Sequence, residues 1–333
     1  MRIGVTYDLR SDYLAMGMSE EDSAEFDAEI TIASICEALA GLGHEPIRIG
    51  HIKALTERLV AGERWDAVFN ICEGLQGYAR EAQVPALLEA YGIPAVFSDP
   101  LTLALTLDKA WTKRIVRDSG VPTADFAVIE RAADIASVGL PYPLFLKPVA
   151  EGSGKGVSER SRANNAAELR AVALDLLGRF RQPVLVETYL PGREFTVGIT
   201  GTGETAAVLG VMEIRATSKG TQSGYSYENK EHWEDRVTLH LVDDAEALAA
   251  ADVALAAWRA LRCRDGGRID IRSDGEARPN FLEVNPLAGL NPGHSDLCFI
   301  AQFQGLSYQD LIGLIMGSFL KRHPELAARR AAA

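Results

Sequence analysis

The feature that most constrains this chain is the regular alternation of short apolar runs with amphipathic stretches in its first third. Met1–Tyr7 reads as a strand entering a turn. Ile30–Leu42 repeats apolar residues at helical spacing and stops at Gly43, and Glu45–Ile49 is a second strand. Strand, helix, strand is the opening of a parallel sheet. A helix over Ile52–Ala61, a strand at Ala67–Asn70, a helix over Gln83–Tyr91 and a strand at Ile93–Phe97 continue the pattern, so residues 1–98 are expected to form an α/β domain.

A second unit, 99–184, is predicted from a helix over Thr102–Asp118, a strand at Ala127–Glu130, another helix and the strand Leu144–Lys147. The rest, 185–325, opens with Val184–Glu187, alternates strand candidates through Asp274 and ends in two helices, around Ile300–Phe303 and Tyr308–Leu320. The Ala- and Arg-rich tail after Pro324 reads as a frayed helix end. The expected class is α/β, turning to α+β in the C-terminal half.

Composition narrows the function. Among 333 residues, 34 Lys+Arg stand against 46 Asp+Glu, a formal charge of −12 that repels phosphate and argues against nucleic-acid or anionic-membrane partners. No stretch approaches the ~18 apolar residues of a membrane span. The opening apolar run is too short for a signal sequence. Cys36, Cys72, Cys263 and Cys298 lie far apart, with no CxxC pair and no His at metal-ligand spacing, so neither zinc nor a disulfide framework is indicated and a soluble, cytoplasmic setting is expected. Cys72 reads as a small buried residue. Trp65, Trp111 and Trp258 are assigned to the core.

Two segments carry chemistry. Lys147-Pro-Val-Ala-Glu-Gly-Ser-Gly-Lys-Gly-Val-Ser158 sets a strand-end lysine before a Gly/Ser loop whose backbone N–H groups can approach phosphate closely. It lacks the GxxxxGK[ST] pattern, and on its own it fits a tight surface turn equally well. The second segment is a hairpin. Arg268 and Asp270 share one strand face, Glu283 and Asn285 share one face of the next, and a turn at Ser273-Asp274-Gly275 joins them. Three oxygen donors with few charges suit Mg²⁺, which keeps waters and shares its positions with substrate phosphates.

Together with Gly92-Ile93-Pro94, Leu105-Thr-Leu-Asp-Lys109 with Thr112-Lys113, Gly120-Val-Pro-Thr123, Glu187–Val197 and Gly305–Tyr308, these segments resemble the ATP-grasp superfamily. The narrower likeness is to the D-alanine:D-alanine ligase family. The resemblance implies an ATP-grasp fold with an N-terminal parallel-sheet domain, and ATP-dependent joining of a carboxylate to an amine through an acylphosphate. Residue by residue it implies Lys109 and Lys147 on the α/β-phosphates, Glu187 and the Leu190 backbone on the adenine edge, and Glu194 on the ribose. Tyr189 and Leu282 would wall the nucleotide slot. Asp270, Glu283 and Asn285 would hold two Mg²⁺, with Mn²⁺ as an alternative and Glu283 bridging. Arg268 and the N–H of Gly289 would form an oxyanion hole, Ser153 would position the first substrate's carboxylate, Lys230 would contact the γ-phosphate from a mobile loop, and Ser295 would hold the second substrate's carboxylate.

The sequence departs from that family where substrates are recognised. The first turn reads Tyr7-Asp-Leu-Arg10 before an inserted segment, Asn70-Ile-Cys-Glu-Gly74 replaces a His-Gly pair, Glu231 followed by His232 replaces a tyrosine, and Gly154-Lys155 is unusual. Glu231 is therefore assigned to substrate, and His232 reads as solvated. Glu20, Glu21, Asp22, Glu25, Asp27 and Glu29 crowd the insertion, and Glu25 or Glu29 is expected to bind the first substrate's ammonium, with a solvated acidic face as the alternative. The default product is D-alanyl-D-alanine, for peptidoglycan. Other amino-acid or hydroxy-acid pairs in secondary metabolism, or a nucleotide-binding pseudoenzyme, are the competing readings. The partners implied are small amino acids, and a homodimer follows from the resemblance.

Overall fold

In a computed structural model the described residues are 1–333 without 21, 24, 153, 219–232 and 328–333. Strands β1 (Arg2–Tyr7), β2 (Glu45–Gly50) and β3 (Ala67–Ile71) form a parallel sheet in the order β2-β1-β3. Helices α1 (Arg10–Ala15), α2 (Glu29–Gly41), α3 (Ile52–Val60) and α4 (Gln83–Ala90) connect and cover it. Every residue of β3 is buried, as a parallel sheet flanked on both faces requires. The strand expected at Ile93–Phe97 is only a bridge between Ala95 and Val68. Phe97 there takes a left-handed φ of 77° and its N–H leaves the sheet to donate to Asp265 Oδ2 at 2.9 Å.

The single helix expected over Thr102–Asp118 is two, α5 (Pro100–Leu107) and α6 (Lys109–Asp118). Asp108 is extended between them, and its Oδ1 caps α6 by accepting from Ala110 N and Trp111 N, both at 2.9 Å. Trp111 is 56% exposed under the Arg114 guanidinium rather than in the core, whereas Trp65 and Trp258 are buried.

Strands β4 (Phe126–Ile129), β5 (Leu144–Pro148), β6 (Arg162–Ala163) and β7 (Val184–Thr188) make an antiparallel sheet, β4-β7-β5-β6, backed by α7 (Ala166–Phe180). The helix expected between β4 and β5 is a 3-10 segment, Ala132–Ser137. Because β7 lies inside this sheet, the boundary expected at residue 184 cuts a hydrogen-bonded unit and moves past Thr188.

A second antiparallel sheet, β10-β9-β8-β11-β12, comprises β8 (Glu194–Thr200), β9 (Ala207–Ala216), β10 (Val237–Leu241), β11 (Gly266–Ser273) and β12 (Pro279–Asn285). After the short α8 (Trp233–Arg236), α9 (Ala245–Ala260) buries Ala247, Ala250, Ala254 and Ala257 completely, so its backbone packs close to the sheet. The last helices are α10 (Asp296–Phe303) and α11 (Tyr308–Arg322). Leu311, Ile312 and Ile315 of α11 share one apolar cluster with Ile3, Ile35 and Leu39, so the end of the chain completes the core of its beginning. Fully buried Asp265 fastens the junction. It accepts from Phe97 N, from Ser318 Oγ at 2.9 Å, and from Arg322 through Nε at 3.0 Å and Nη2 at 2.5 Å. Among the described residues no helix is long and apolar enough to cross a membrane.

Candidate active site

A cleft lies between the two antiparallel sheets. Lys147 is the last residue but one of β5, and Glu187 on neighbouring β7 is clamped between Lys147 at 3.2 Å and Lys113 at 2.6 Å. Lys113 is wholly buried and also donates to the Phe281 carbonyl at 3.2 Å. Burial pushes the Glu187 carboxyl up, but the two lysines outweigh it and hold it below its usual range. Burial lowers Lys113, against the pull of Glu187. Lys147 is also opposed by burial, but Glu187 and Glu283 raise it. Glu187, expected on the adenine edge, does line the cleft, but its carboxylate engages two cations. Lys113 carries no role in the family resemblance drawn from the sequence. The signal was its spacing, since Lys109 and Lys113 stand four apart on α6 and so share a face.

The cleft has an apolar wall that includes Phe145, Val157, Leu190 and Leu282, and Glu194 lies at its rim. Tyr189 is flanked by two guanidiniums, Arg162 at 4.5 Å and Arg272 at 5.4 Å, and Arg272 pairs with Glu194 at 3.4 Å. Arg162 and Arg272 were not foreseen. A flat apolar slot with a polar rim at one end and lysines at the other fits a nucleotide triphosphate.

At the lysine end, Lys109 and Lys147 face Glu283 at 3.6 and 3.7 Å, and Lys109 Nζ donates to the Glu151 carbonyl at 2.6 Å. In the β11–β12 register Arg268 stands opposite Asn285 and Asp270 opposite Glu283, which brings all four to one face. Arg268 Nη1 donates to both Asp270 oxygens at 2.8 Å, Thr196 Oγ1 donates to Oδ1 at 2.8 Å, and Asn285 Nδ2 lies 3.5 Å from Oδ2. Among the described residues no three His, Cys, Asp or Glu group around a metal position. The donors present are two carboxylates and an amide whose charge is balanced by Arg268 and the lysines, a set that fits a hard, partly hydrated cation sharing its ligands with phosphate.

Beyond Glu283 a cavity of about 520 Å³ opens, with Arg268, Asn285, Gly289 and Ser295 on one wall. A side chain at Gly289 would put its Cβ 2.8 Å from Ser295 Oγ, so a larger residue here would have to displace that hydroxyl. Ser295 Oγ accepts from Asn291 N at 2.9 Å.

The opposite wall corrects the sequence reading. Glu29 is not in the cavity; its side chain is 60% exposed and paired with Arg48 at 2.6 Å. Glu25 reaches the cavity but is already bound, by Lys155 at 3.0 Å, Arg80 at 3.1 Å and the N–H of Gly152 at 2.9 Å. Lys155 also meets Glu151 at 3.4 Å, and Arg80 donates to the Ala150 carbonyl at 3.0 Å. The inserted segment thus straps the Gly-rich loop to the first domain. The carboxylates that face the cavity alongside it are Asp27, Glu73 and Glu81, none of which the sequence singles out as a substrate ligand. Burial raises all three: Asp27 to about 7 with help from Asp8, Glu73 well above its usual range with Glu81 and Glu25 adding, and Glu81 to about 7 against the pull of Arg80. Cys72 is a buried thiol raised by burial. Ser153, Lys230, Glu231 and His232 lie outside the described residues.

Two antiparallel sheets facing across a lysine-ended cleft, with a parallel-sheet domain beside them, define an ATP-grasp protein. The crystal structure of D-alanine--D-alanine ligase from Bacillus anthracis complexed with ATP shares this fold at a TM-score of 0.72 and 22% identity, covering 98% of this chain and 99% of that one. Residues 115–317 match the family described as D-ala D-ala ligase C-terminus. The chain is 34% identical over 276 residues to the D-alanine--D-alanine ligase of Bordetella petrii, covering 81% of each, and 31% identical over 315 residues to the uncharacterized protein y4sG of Sinorhizobium fredii strain NGR234, covering 87% of each. This chain belongs to the D-alanine--D-alanine ligase family.

Proposed function

We propose that the chain is an ATP-dependent carboxylate–amine ligase that joins two amino acids, with D-alanyl-D-alanine as the default product and peptidoglycan precursor supply as its setting. The observation that carries this reading is the register of β11 and β12. It gathers Arg268, Asp270, Glu283 and Asn285 where the lysine end of the cleft meets the second cavity.

A carboxylate is a poor electrophile. The first substrate's carboxylate attacks the γ-phosphorus of ATP, ADP leaves, and an acylphosphate results. The neutral amine of the second substrate then attacks the acyl carbon; the C–N bond forms, the C–O bond to phosphate breaks, and phosphate and a proton depart. Lys109 and Lys147 hold phosphate oxygens, Tyr189, Leu190 and Leu282 enclose the base, and Glu194 meets the ribose. Asp270, Glu283 and Asn285 would hold Mg²⁺ or Mn²⁺, which when bound offsets negative charge on the transferring group. Arg268 and the Gly289 N–H stabilise the tetrahedral oxyanion, a contribution of about 10² to 10³ in rate per donor. Ser295 receives the second substrate's carboxylate. The first substrate's ammonium falls to Asp27, Glu73 and Glu81, since Glu25 is engaged by Lys155 and Arg80. Ser153 and Lys230 keep the roles given by resemblance. Use of ATP and four cysteines that form no disulfide suit the cytoplasm.

ADP release measured with purified enzyme across pairs of D- and L-amino acids and hydroxy acids tests this. Turnover with D-alanine supports the default product. Turnover only with another pair moves the substrate and keeps the reaction, and ATP binding without release with any pair overturns the reading.

A further inference from the structure

Arg268 is held by two carboxylates. Besides both oxygens of Asp270, its Nη1 meets Asp296 Oδ2 at 3.2 Å. Asp296 is the first residue of α10 and is only 7% exposed, so this is an enclosed contact rather than a surface pair. Its neighbour Ser295 is fixed from two sides, with its Oγ accepting from Asn291 N and its own N–H donating to the Asn291 carbonyl, both at 2.9 Å. A Cβ added at Gly289 would fall 2.8 Å from that same Oγ, so the glycine lies beside the serine. One tied loop therefore carries the oxyanion N–H, the second-substrate serine and a carboxylate that reaches back across the sheet to the oxyanion arginine.

A cation bound through both Asp270 oxygens would compete with Arg268, whose Nη1 now takes both of them. We infer that Asp296 is a positioning residue: it keeps the Arg268 guanidinium beside the Gly289 N–H when Asp270 turns to the metal, and so lets one arginine stand next to a cation site without surrendering its place. The inference rests on the ligase reading for the role of Arg268. The Asp296–Arg268–Asp270 chain of contacts does not.

The test compares Asp296→Asn, Asp296→Ser and Asp296→Glu with the parent enzyme by kcat, KM, thermal midpoint and Mn²⁺ affinity, the last read by electron paramagnetic resonance with a non-hydrolysable ATP analogue. Loss of the carboxylate removes the tie between Arg268 and α10 and strengthens its hold on Asp270. The expected results are a fall of about 10- to 100-fold in kcat and in Mn²⁺ affinity, with the KM for ATP within about twofold, and partial recovery with Glu. In an Arg268→Ala background Asp296→Asn should change Mn²⁺ affinity no further, because it acts through the arginine. Parental kcat and Mn²⁺ affinity in Asp296→Asn and Asp296→Ser, even with a lowered thermal midpoint, overturn the inference, as does an undiminished effect in the Arg268→Ala background. If the parent releases no ADP with any pair, the ligase reading fails while the Mn²⁺ arm still decides the coupling.

Discussion

Lys113 sets the charge balance at the base of the nucleotide cleft. Replacing it by Met leaves Glu187 buried with Lys147 alone, and breaking such a pair costs on the order of 3 to 5 kcal/mol, to be read by chemical denaturation. Two groups of carboxylates give opposite pH dependences. Glu187 is held below its usual value, so its contribution is present above the ordinary carboxylate range and is lost as pH falls through the folded value. Glu81 is raised from 4.5 to about 7, so between those values the folded protein keeps a proton that the unfolded chain has released, and stability falls as pH rises. Glu81→Gln should remove that share, leaving a thermal midpoint that depends less on pH across the same window. Gly289→Ala drives a Cβ into Ser295 Oγ, and we expect kcat to fall by about 10² or more in steady-state assays. At this scale the hairpin residues were legible, because strand alternation alone puts Arg268 with Asp270 and Glu283 with Asn285. The fate of Glu25 was not legible. One of its partners, the Gly152 N–H, is 127 residues away, and no local pattern reports a contact of that range.

Among elements, α5 and α6 show how one polar residue redirects a chain. Apolar periodicity runs through Asp108 and suggests one helix, yet aspartate is a strong N-cap, and its side chain starts a new helix whose first residue is Lys109. The break was readable in principle from that aspartate; periodicity outvoted it. The boundary misplaced at residue 184 had no such signal, since β7 has the same apolar character whichever sheet it joins. The strap built from Glu25, Lys155 and Arg80 makes a prediction at this scale. Lys155→Ala should loosen the Gly-rich loop and admit water, so phosphate released per dipeptide rises above one, by about severalfold, while Lys155→Arg, which keeps the charge facing Glu25 and Glu151, should retain part of the coupling. An unchanged phosphate-to-dipeptide ratio in Lys155→Ala would show the strap to be only structural.

For the whole molecule, the alternation that reveals the parallel sheet does not reveal what covers it. Leu311, Ile312 and Ile315 pack with Ile3, Ile35 and Leu39, and Asp265 ties Phe97 to Arg322. Leu311→Ala should therefore cost about 2 to 5 kcal/mol and shift one common unfolding transition, monitored by both a probe in the first domain and one near the C-terminus. Separate transitions would argue that the two ends melt independently. The shared cluster also bears on synthesis. Residues 1–98 leave the ribosome long before α11 exists, so the apolar side of α2 cannot close until α11 has emerged. The parallel-sheet domain is then made before the two antiparallel sheets yet finishes folding after them, and until then the nascent chain carries a surface for chaperones.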